Sequence, residues 1–267
     1  MKLQNKVIVV TGAGNGMGRE LVLNLLSKGA RVAAVDINAA ALLETVRLAG
    51  TRQAELSTHV VDITDQAAVE ALVSQVIARH GAVDGIINNA GIIQPFVRLV
   101  DLNFEQIHKV LDVNLYGTLY MVKAFLPELL RRPVAHIANV SSMGGFLPVP
   151  GQTVYGASKS AVKLLTEGLY SELLNTNVHV TLVYPGAIGT NIAANSGIEI
   201  PAGTASQSAV KTLAPAKAAA IIVAAIEKDR YSVLVGSDAN LMDLLYRLNP
   251  KAAAGFIYRQ MKALLPG

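Results

Sequence analysis

Residues 7–18 read Val7-Ile8-Val9-Val10-Thr11-Gly12-Ala13-Gly14-Asn15-Gly16-Met17-Gly18, an apolar β-branched run that gives way to alternating glycines and then to the helical pattern Gly16–Ser27. A short, nearly continuous apolar run is what a strand covered on both faces looks like. The glycines let the backbone turn tightly and bring bare N–H groups at a helix start up to an anion such as a pyrophosphate. The literal G-x-G-x-x-G spacing fails, because Met17 occupies its last position; the pattern present is T-G-x-x-x-G-x-G.

Outward from this turn, β-branched runs alternate with helical periodicity. Strands are predicted near Val7–Val10, Arg31–Val35, Glu55–Val61, Gly85–Asn88, Val134–Val140, Val178–Val183 and Ser232–Val235. Helices are predicted over Gly16–Ser27, Ala39–Ala49, Gln66–Arg79, Phe104–Arg131, Val154–Asn175 and Pro215–Lys228. That alternation implies an α/β fold: one Rossmann-type, doubly wound parallel sheet of about seven strands with helices on both faces. Ligands in such sheets bind beyond the carboxyl ends of the strands. A single domain over 1–267 is expected, with residues 191–212 as a substrate loop and residues 238–267 as a C-terminal helical extension. From Leu241 to Leu265 apolar residues alternate with Arg247, Lys251, Arg259 and Lys262, which predicts a helical pair packed on the domain or on a partner subunit. The alternative is a basic amphipathic pair in weak peripheral contact with a membrane.

Composition narrows the function. The 267 residues are 52% hydrophobic and 16% charged, ample for a sizeable core and unlike a disordered chain. The net charge of +4 comes from 23 scattered Lys and Arg, with no run longer than Arg131-Arg132, so nucleic acid is not an expected partner. There is no cysteine, which removes disulfides, thiolate metal sites and a Cys nucleophile. No uninterrupted apolar stretch reaches the ~18 residues of a membrane span, and the start does not read as a signal peptide; a cytoplasmic protein is expected. The histidines at 59, 80, 108, 136 and 179 lack any paired ligand spacing, so no metal is expected. Neither a G-x-S-x-G elbow nor a P-loop is present.

Five further features carry chemistry. Asp36 stands 18 residues past Gly18 at the end of the second strand, where a carboxylate accepts from both ribose hydroxyls of an adenosine and repels a 2′-phosphate. This favours NAD over NADP; a solvated strand end or a helix cap is the alternative. Tyr155 and Lys159 are four apart on one helix face, so the ammonium can sit near the phenol and lower its pKa. Ser142, at a strand end 13 residues before Tyr155, can donate a hydrogen bond to a carbonyl or alkoxide oxygen. Asn114 lies inside an apolar helical pattern, either as a satisfied core amide or as the holder of a water in a proton relay. Pro185-Gly186-Ala187-Ile188-Gly189-Thr190 follows the sixth strand, where backbone and hydroxyl can bind a carboxamide.

Taken in order, T-G-x-x-x-G-x-G, Asp36, Asp62-Ile63, Asn88-Asn89-Ala90-Gly91, Asn114, Ser142, Y-x-x-x-K and P-G-x-x-x-T resemble the short-chain dehydrogenase/reductase family from Val7 to about Thr190. The resemblance implies a catalytic tetrad of Asn114, Ser142, Tyr155 and Lys159. It implies a cofactor lying along Gly12, Asn15, Gly16, Met17, Gly18, Asp36, Ile37, Asp62, Ile63, Asn89, Ala90, Gly91, Tyr155, Lys159, Pro185, Gly186, Ile188 and Thr190, with Asp62 and Ile63 beside the adenine and Ile188 and Thr190 at the nicotinamide amide. Substrate contacts are expected from Gln94, Ser142, Met143, Gly144, Phe146, Gln152 and Tyr155, a mixed apolar and uncharged set suited to a neutral, fairly hydrophobic molecule. The implied activity is hydride transfer between NAD(H) and a secondary alcohol or ketone. The alternatives are an NADP-dependent carbonyl reductase and a non-catalytic dinucleotide-binding regulatory protein. A homodimer or homotetramer is implied as well. The chain departs from many bacterial members at its last strand, where Leu234-Val235-Gly236 replaces V-D-G-G and leads into the helical extension.

Overall fold

The β-branched runs form seven strands: β1 (Val7–Thr11), β2 (Arg31–Asp36), β3 (Leu56–Val60), β4 (Gly85–Asn88), β5 (Ala135–Val140), β6 (Val178–Pro185) and β7 (Ser232–Val235). Between and after them lie α1 (Gly16–Ser27), α2 (Ala39–Ala49), α3 (Gln66–His80), α4 (Phe104–Leu111), α5 (Gly117–Leu130), α6 (Thr153–Leu173), α7 (Ile192–Asn195), α8 (Pro215–Glu227), α9 (Ser237–Leu248) and α10 (Pro250–Met261). These elements belong to a computed structural model that describes residues 1–198, 212–262 and 265. Most of the expected substrate loop, 199–211, therefore lies outside the described residues, as do 263, 264, 266 and 267 of the extension.

All neighbouring strands run parallel in the order β3-β2-β1-β4-β5-β6-β7, with Thr11 opposite Val35 and Val10 opposite Ile87. This is the doubly wound sheet. The chain leaves β1 for β2 on one side and returns to β4 on the other, so a crevice opens beyond the carboxyl ends of β1 and β4.

Alternation along β1 divides the core in two. Ile8 and Val10 pack with Leu21 and Leu25 of α1 and Ala219, Ile222 and Val223 of α8. Val7 and Val9 face the other way, into Val69, Leu72 and Val76 of α3, Met121, Phe125 and Leu129 of α5, and Leu169 and Leu173 of α6. Each fully buried aliphatic or Phe side chain contributes about 1.5–3 kcal/mol, so these two layers hold the strand ends rigid beneath the crevice.

Two segments differ from their sequence reading. The helix expected over Phe104–Arg131 is interrupted by a π-turn at Asp112–Tyr116, which separates α4 from α5 and carries buried Asn114. Residues 192–195 form a short helix where a loop is expected. The C-terminal extension forms the pair α9 and α10, with Asn249 ending the first and capping the second through Ala252 N–H at 3.0 Å. Its Met242, Ala253 and Ile257 pack on Leu147, next to Met143 and Phe146. Among the described residues no helix is long and apolar enough to cross a membrane.

Candidate active site

The crevice is a cavity of about 1150 Å³. At one end the glycine turn folds against the loop after β4. Thr11 Oγ1 accepts from the N–H groups of Asn89 and Ala90 at 3.0 Å each, and Asn89 Nδ2 donates to Thr11 O at 2.9 Å. Gly12 and Gly16 adopt φ of +65° and +49°, a region in which any other residue is strained. A Cβ on Gly18 would drive into the Gly12 carbonyl oxygen. Asn15 Oδ1 accepts from Gly16 N–H at 2.7 Å. Met17 and Gly18, whose first-turn N–H groups have no acceptor inside a helix, border the cavity.

Asp36 ends β2 beside this turn. Its Oδ2 accepts from Gly14 N–H at 2.8 Å and its Oδ1 from Asn38 N–H at 2.9 Å. The carboxylate therefore braces the turn and the entry to α2 while still lining the cavity. Arg19, the nearby cation, is committed beneath the turn, donating to Gly14 O and to Thr45 Oγ1. Ile37, Asp62 and Ile63 continue the same wall.

At the other end, β5 delivers Ser142 and the first turns of α6 deliver Tyr155 and Lys159. A Cβ on Gly144 would lie 3.2 Å from Tyr155 Cε1 and 3.5 Å from Ser142 Oγ, so a bare glycine lets the two side chains close up. Burial pushes the Tyr155 phenol above its ordinary value, and a hydrogen bond with Ser142 pulls against that rise. Lys159 is buried, donates through Nζ to Val140 O at 2.9 Å, and is pushed down to about 8 by loss of solvent. The sequence expectation that Lys159 lowers the Tyr155 pKa is not what governs this geometry: the ammonium is drawn to Val140, and burial dominates both groups. A Cβ on Gly91 would stand 3.0 Å from Lys159 Nζ and 3.1 Å from Asn114 Oδ1, which marks where these side chains meet.

Asn114 is fully engaged. Its Oδ1 accepts from Ile92 N–H at 2.9 Å, and its Nδ2 donates to Ile92 O and to Ser158 Oγ, both at 2.9 Å. Of the two sequence readings, the satisfied core amide describes this side chain. Pro185, Gly186, Ile188 and Thr190 line the cavity along the loop after β6. A Cβ on Gly16 would come within 3.2 Å of Thr190 Cγ2, so this loop arches from the Tyr155 end to the glycine turn.

The expected substrate contacts divide. Ser142 and Tyr155 line the cavity; Gln94, Met143, Gly144, Phe146 and Gln152 do not. Gln94 is 0% exposed and spends its Oε1 on the N–H groups of Val154 (2.7 Å) and Tyr155 (3.0 Å), which caps the start of α6. Gln152 is buried and donates to Gln94 O at 2.7 Å. Phe146 packs edge-on against Tyr184 with ring centroids 5.6 Å apart, and Met143 joins the same apolar cluster. The wall also includes Ile192 and Asn195 of the expected substrate loop, and it gains Ile92 and Ile93, with Glu105, His108 and Lys109 from α4 and Asp112 just past its end. The last four follow the i, i+3, i+4, i+7 spacing of one helix face, the signal by which they could be found.

With this geometry established, the relatives fit it. The short chain dehydrogenase family model matches residues 6–200, and the chain belongs to that family of oxidoreductases. SadH of Mycobacterium tuberculosis, named as an oxidoreductase, is 37% identical over 255 residues, covering 92% of this chain and 91% of that protein. A short-chain dehydrogenase/reductase from Burkholderia phymatum, solved in complex with NAD, superposes with a TM-score of 0.86 at 28% identity, covering 94% of this chain and 96% of that one. Another from Burkholderia cenocepacia, solved in complex with NADP, gives 0.81 at 28% identity over 96% and 99% of the two chains.

Proposed function

We propose that this oxidoreductase interconverts a secondary alcohol and a ketone with NAD(H), using Tyr155 as the general acid and base. The observation that carries the reading is the convergence of Ser142, Tyr155 and Lys159 on the cavity that also holds Asp36 and the bare glycine turn. The cradle suits a dinucleotide: glycine backbone and first-turn amides for a pyrophosphate, and a carboxylate with unused lone pairs for a ribose diol. Asp36 disfavours a 2′-phosphate, and Arg19, committed to Gly14 and Thr45, does not offset it. NAD is thus the proposed cofactor, along Asn15 to Gly18, Asp36 to Ile37, Asp62 to Ile63, Asn89 to Gly91 and Pro185 to Thr190.

Bound nicotinamide supplies the hydride donor or acceptor. In the reducing direction Tyr155, held protonated at neutral pH by burial, passes its proton to the substrate oxygen. Ser142 donates a hydrogen bond to that oxygen, whose negative charge grows in the transition state. Lys159, steadied by Val140 O, holds the ribose, and the hydrogen bond from Ser142 eases the charge left on the phenolate. Asn114, as a satisfied core amide, ties Ile92 to Ser158 and so braces the first turn of α6 behind Tyr155. Ile92, Ile93, Ile188 and Ile192 give an apolar wall that favours a neutral, fairly hydrophobic substrate. A homo-oligomer belongs to the same reading, since Leu164 of α6 is 68% exposed and Leu174, just past its end, 60%; a monomeric mass by light scattering would remove that element.

The deciding experiment is Tyr155→Phe. NADH binding should stay within a few-fold of wild type while turnover on a panel of alcohols and ketones drops by about 10²–10⁴. An active Phe variant ends the assignment. Comparing kcat/KM for NAD and NADP tests Asp36: Asp36→Ala should narrow the preference for NAD, and an unchanged ratio would show that the carboxylate does not set it.

A further inference from the structure

The loop Gly186–Thr190 is held at its first residues by the C-terminal extension. Asp238, in the first turn of α9, accepts the N–H of Ala187 on its Oδ2 at 2.6 Å, across 51 residues of sequence. Its carboxylate lies against Gly186 so closely that a Cβ there would overlap both oxygens. Gly236, at φ +117°, makes the reverse of direction that sets α9 in this place, and a Cβ on it would also strike Asp238 Oδ1. Among the described residues the other ties on the loop's first half are main-chain: Gly186 N–H to Val235 O at 2.9 Å, Leu213 N–H to Ala187 O at 2.8 Å and Gly189 N–H to Leu213 O at 2.9 Å. Asp238 is thus the side chain that fixes the loop's entry, and three residues later Thr190 rests against Gly16.

We propose that Asp238 is a positioning residue for the nicotinamide end of the site: a latch through which α9 sets the loop that carries Ile188 and Thr190. The proposal rests on the dinucleotide-binding reading above. Ile188 packs against the core, whereas Gly186 and Ala187 before it offer little side chain to anchor, so the path of the loop's entry is set by these hydrogen bonds. A carboxylate acceptor is stronger than a neutral one, and the absence of a side chain on Gly186 is what admits it.

The test is NADH affinity, read by fluorescence, alongside thermal melting of the full chain. Asp238→Ala should weaken NADH binding about tenfold, the ratio expected for one lost hydrogen bond to a charged acceptor. Asp238→Asn retains an acceptor oxygen of the same reach and should stay within about threefold of wild type. Gly186→Ala should weaken binding from the other side of the contact, and combining it with Asp238→Ala should cost less than the two losses together, because the overlap is then relieved. A general loss of stability would lower melting temperatures and spare NADH affinity in the folded fraction. Unchanged NADH affinity in Asp238→Ala, an Asn variant as weak as Ala, or strict additivity of the pair overturns the latch alone. If Asp238→Ala does not fold, the Asn variant and Gly186→Ala still decide it. A wild-type chain that binds neither NADH nor NADPH overturns the latch and the function together.

Discussion

Replacing Gln94 by Met isolates the contact that seats the catalytic helix. Met keeps the length and most of the volume of the side chain but offers no oxygen to the N–H groups of Val154 and Tyr155, now bonded at 2.7 and 3.0 Å. Each lost bond costs about 1 kcal/mol net, and a donor left unpaired away from water costs about 1–3 kcal/mol more. One term works in the opposite direction: Gln94 Nε2 finds no acceptor among the described residues, so deleting it returns about 1–2 kcal/mol. The balance is a loss of roughly 2–3 kcal/mol. At about 2 °C per kcal/mol for a chain of this size, the melting temperature should fall by roughly 5 °C. Thermal unfolding followed by circular dichroism measures it. Because the freed amides belong to the turn that carries Tyr155, kcat should fall about tenfold, with the KM for cofactor little changed. A melting temperature equal to or above that of wild type would refute the capping role assigned to Gln94.

Lys159→Met should abolish activity yet stabilise the fold at pH 7. The buried ammonium titrates near 8 rather than 10.5, so the penalty for its charge is fully present below pH 8. It is relieved between about 8 and 10.5 as the folded state releases its proton first, and stability therefore rises with pH across that window. At pH 7 the gain from Met should approach ~2–3 kcal/mol, less whatever the bond to Val140 contributes, and should vanish near pH 10.5; denaturant melts at both pH values check the crossover. Gly18→Ala should prevent cofactor binding and depress the melting temperature sharply, since its Cβ meets a main-chain carbonyl rather than a movable side chain; a variant that binds NADH normally would contradict the geometry of the turn. In the reducing direction, the rate should hold through neutral pH and decline only on the alkaline side, as Tyr155 and Lys159 lose their protons. A profile that climbs above pH 9 would speak against Tyr155 as the acid.

Much of the fold is legible in the sequence. The seven strands fall within a residue or two of their predicted runs, most clearly β1, β4 and β5, which are buried along their whole length on both faces and so leave an apolar signal in sequence. Asp36 and the glycine turn were legible for the same reason: local geometry dictates residue type. What sequence could not give is side-chain direction. Gln94 and Gln152 stand near Tyr155 along the fold's path yet turn toward each other and the start of α6. The pull of Lys159 on Tyr155 was a matter of spacing, whereas its actual partner, Val140 O, is set by how β5 meets α6. The role of the extension was likewise hidden, because the contact of Asp238 with Ala187 spans 51 residues and leaves no periodic trace.

The π-turn at Asp112–Tyr116 carries a consequence for helical phase. One added residue rotates everything beyond it by about 100° relative to an unbroken α-helix. The cavity face of α4, with Glu105 and His108, and the sheet-facing stripe of α5, with Met121, Phe125 and Leu129, are therefore set in angle by a count of residues. Deleting a single residue there would give a more regular helix and would swing either Asn114 or Phe125 out of place. In this stretch the reading frame of the helix links the chemistry to the core.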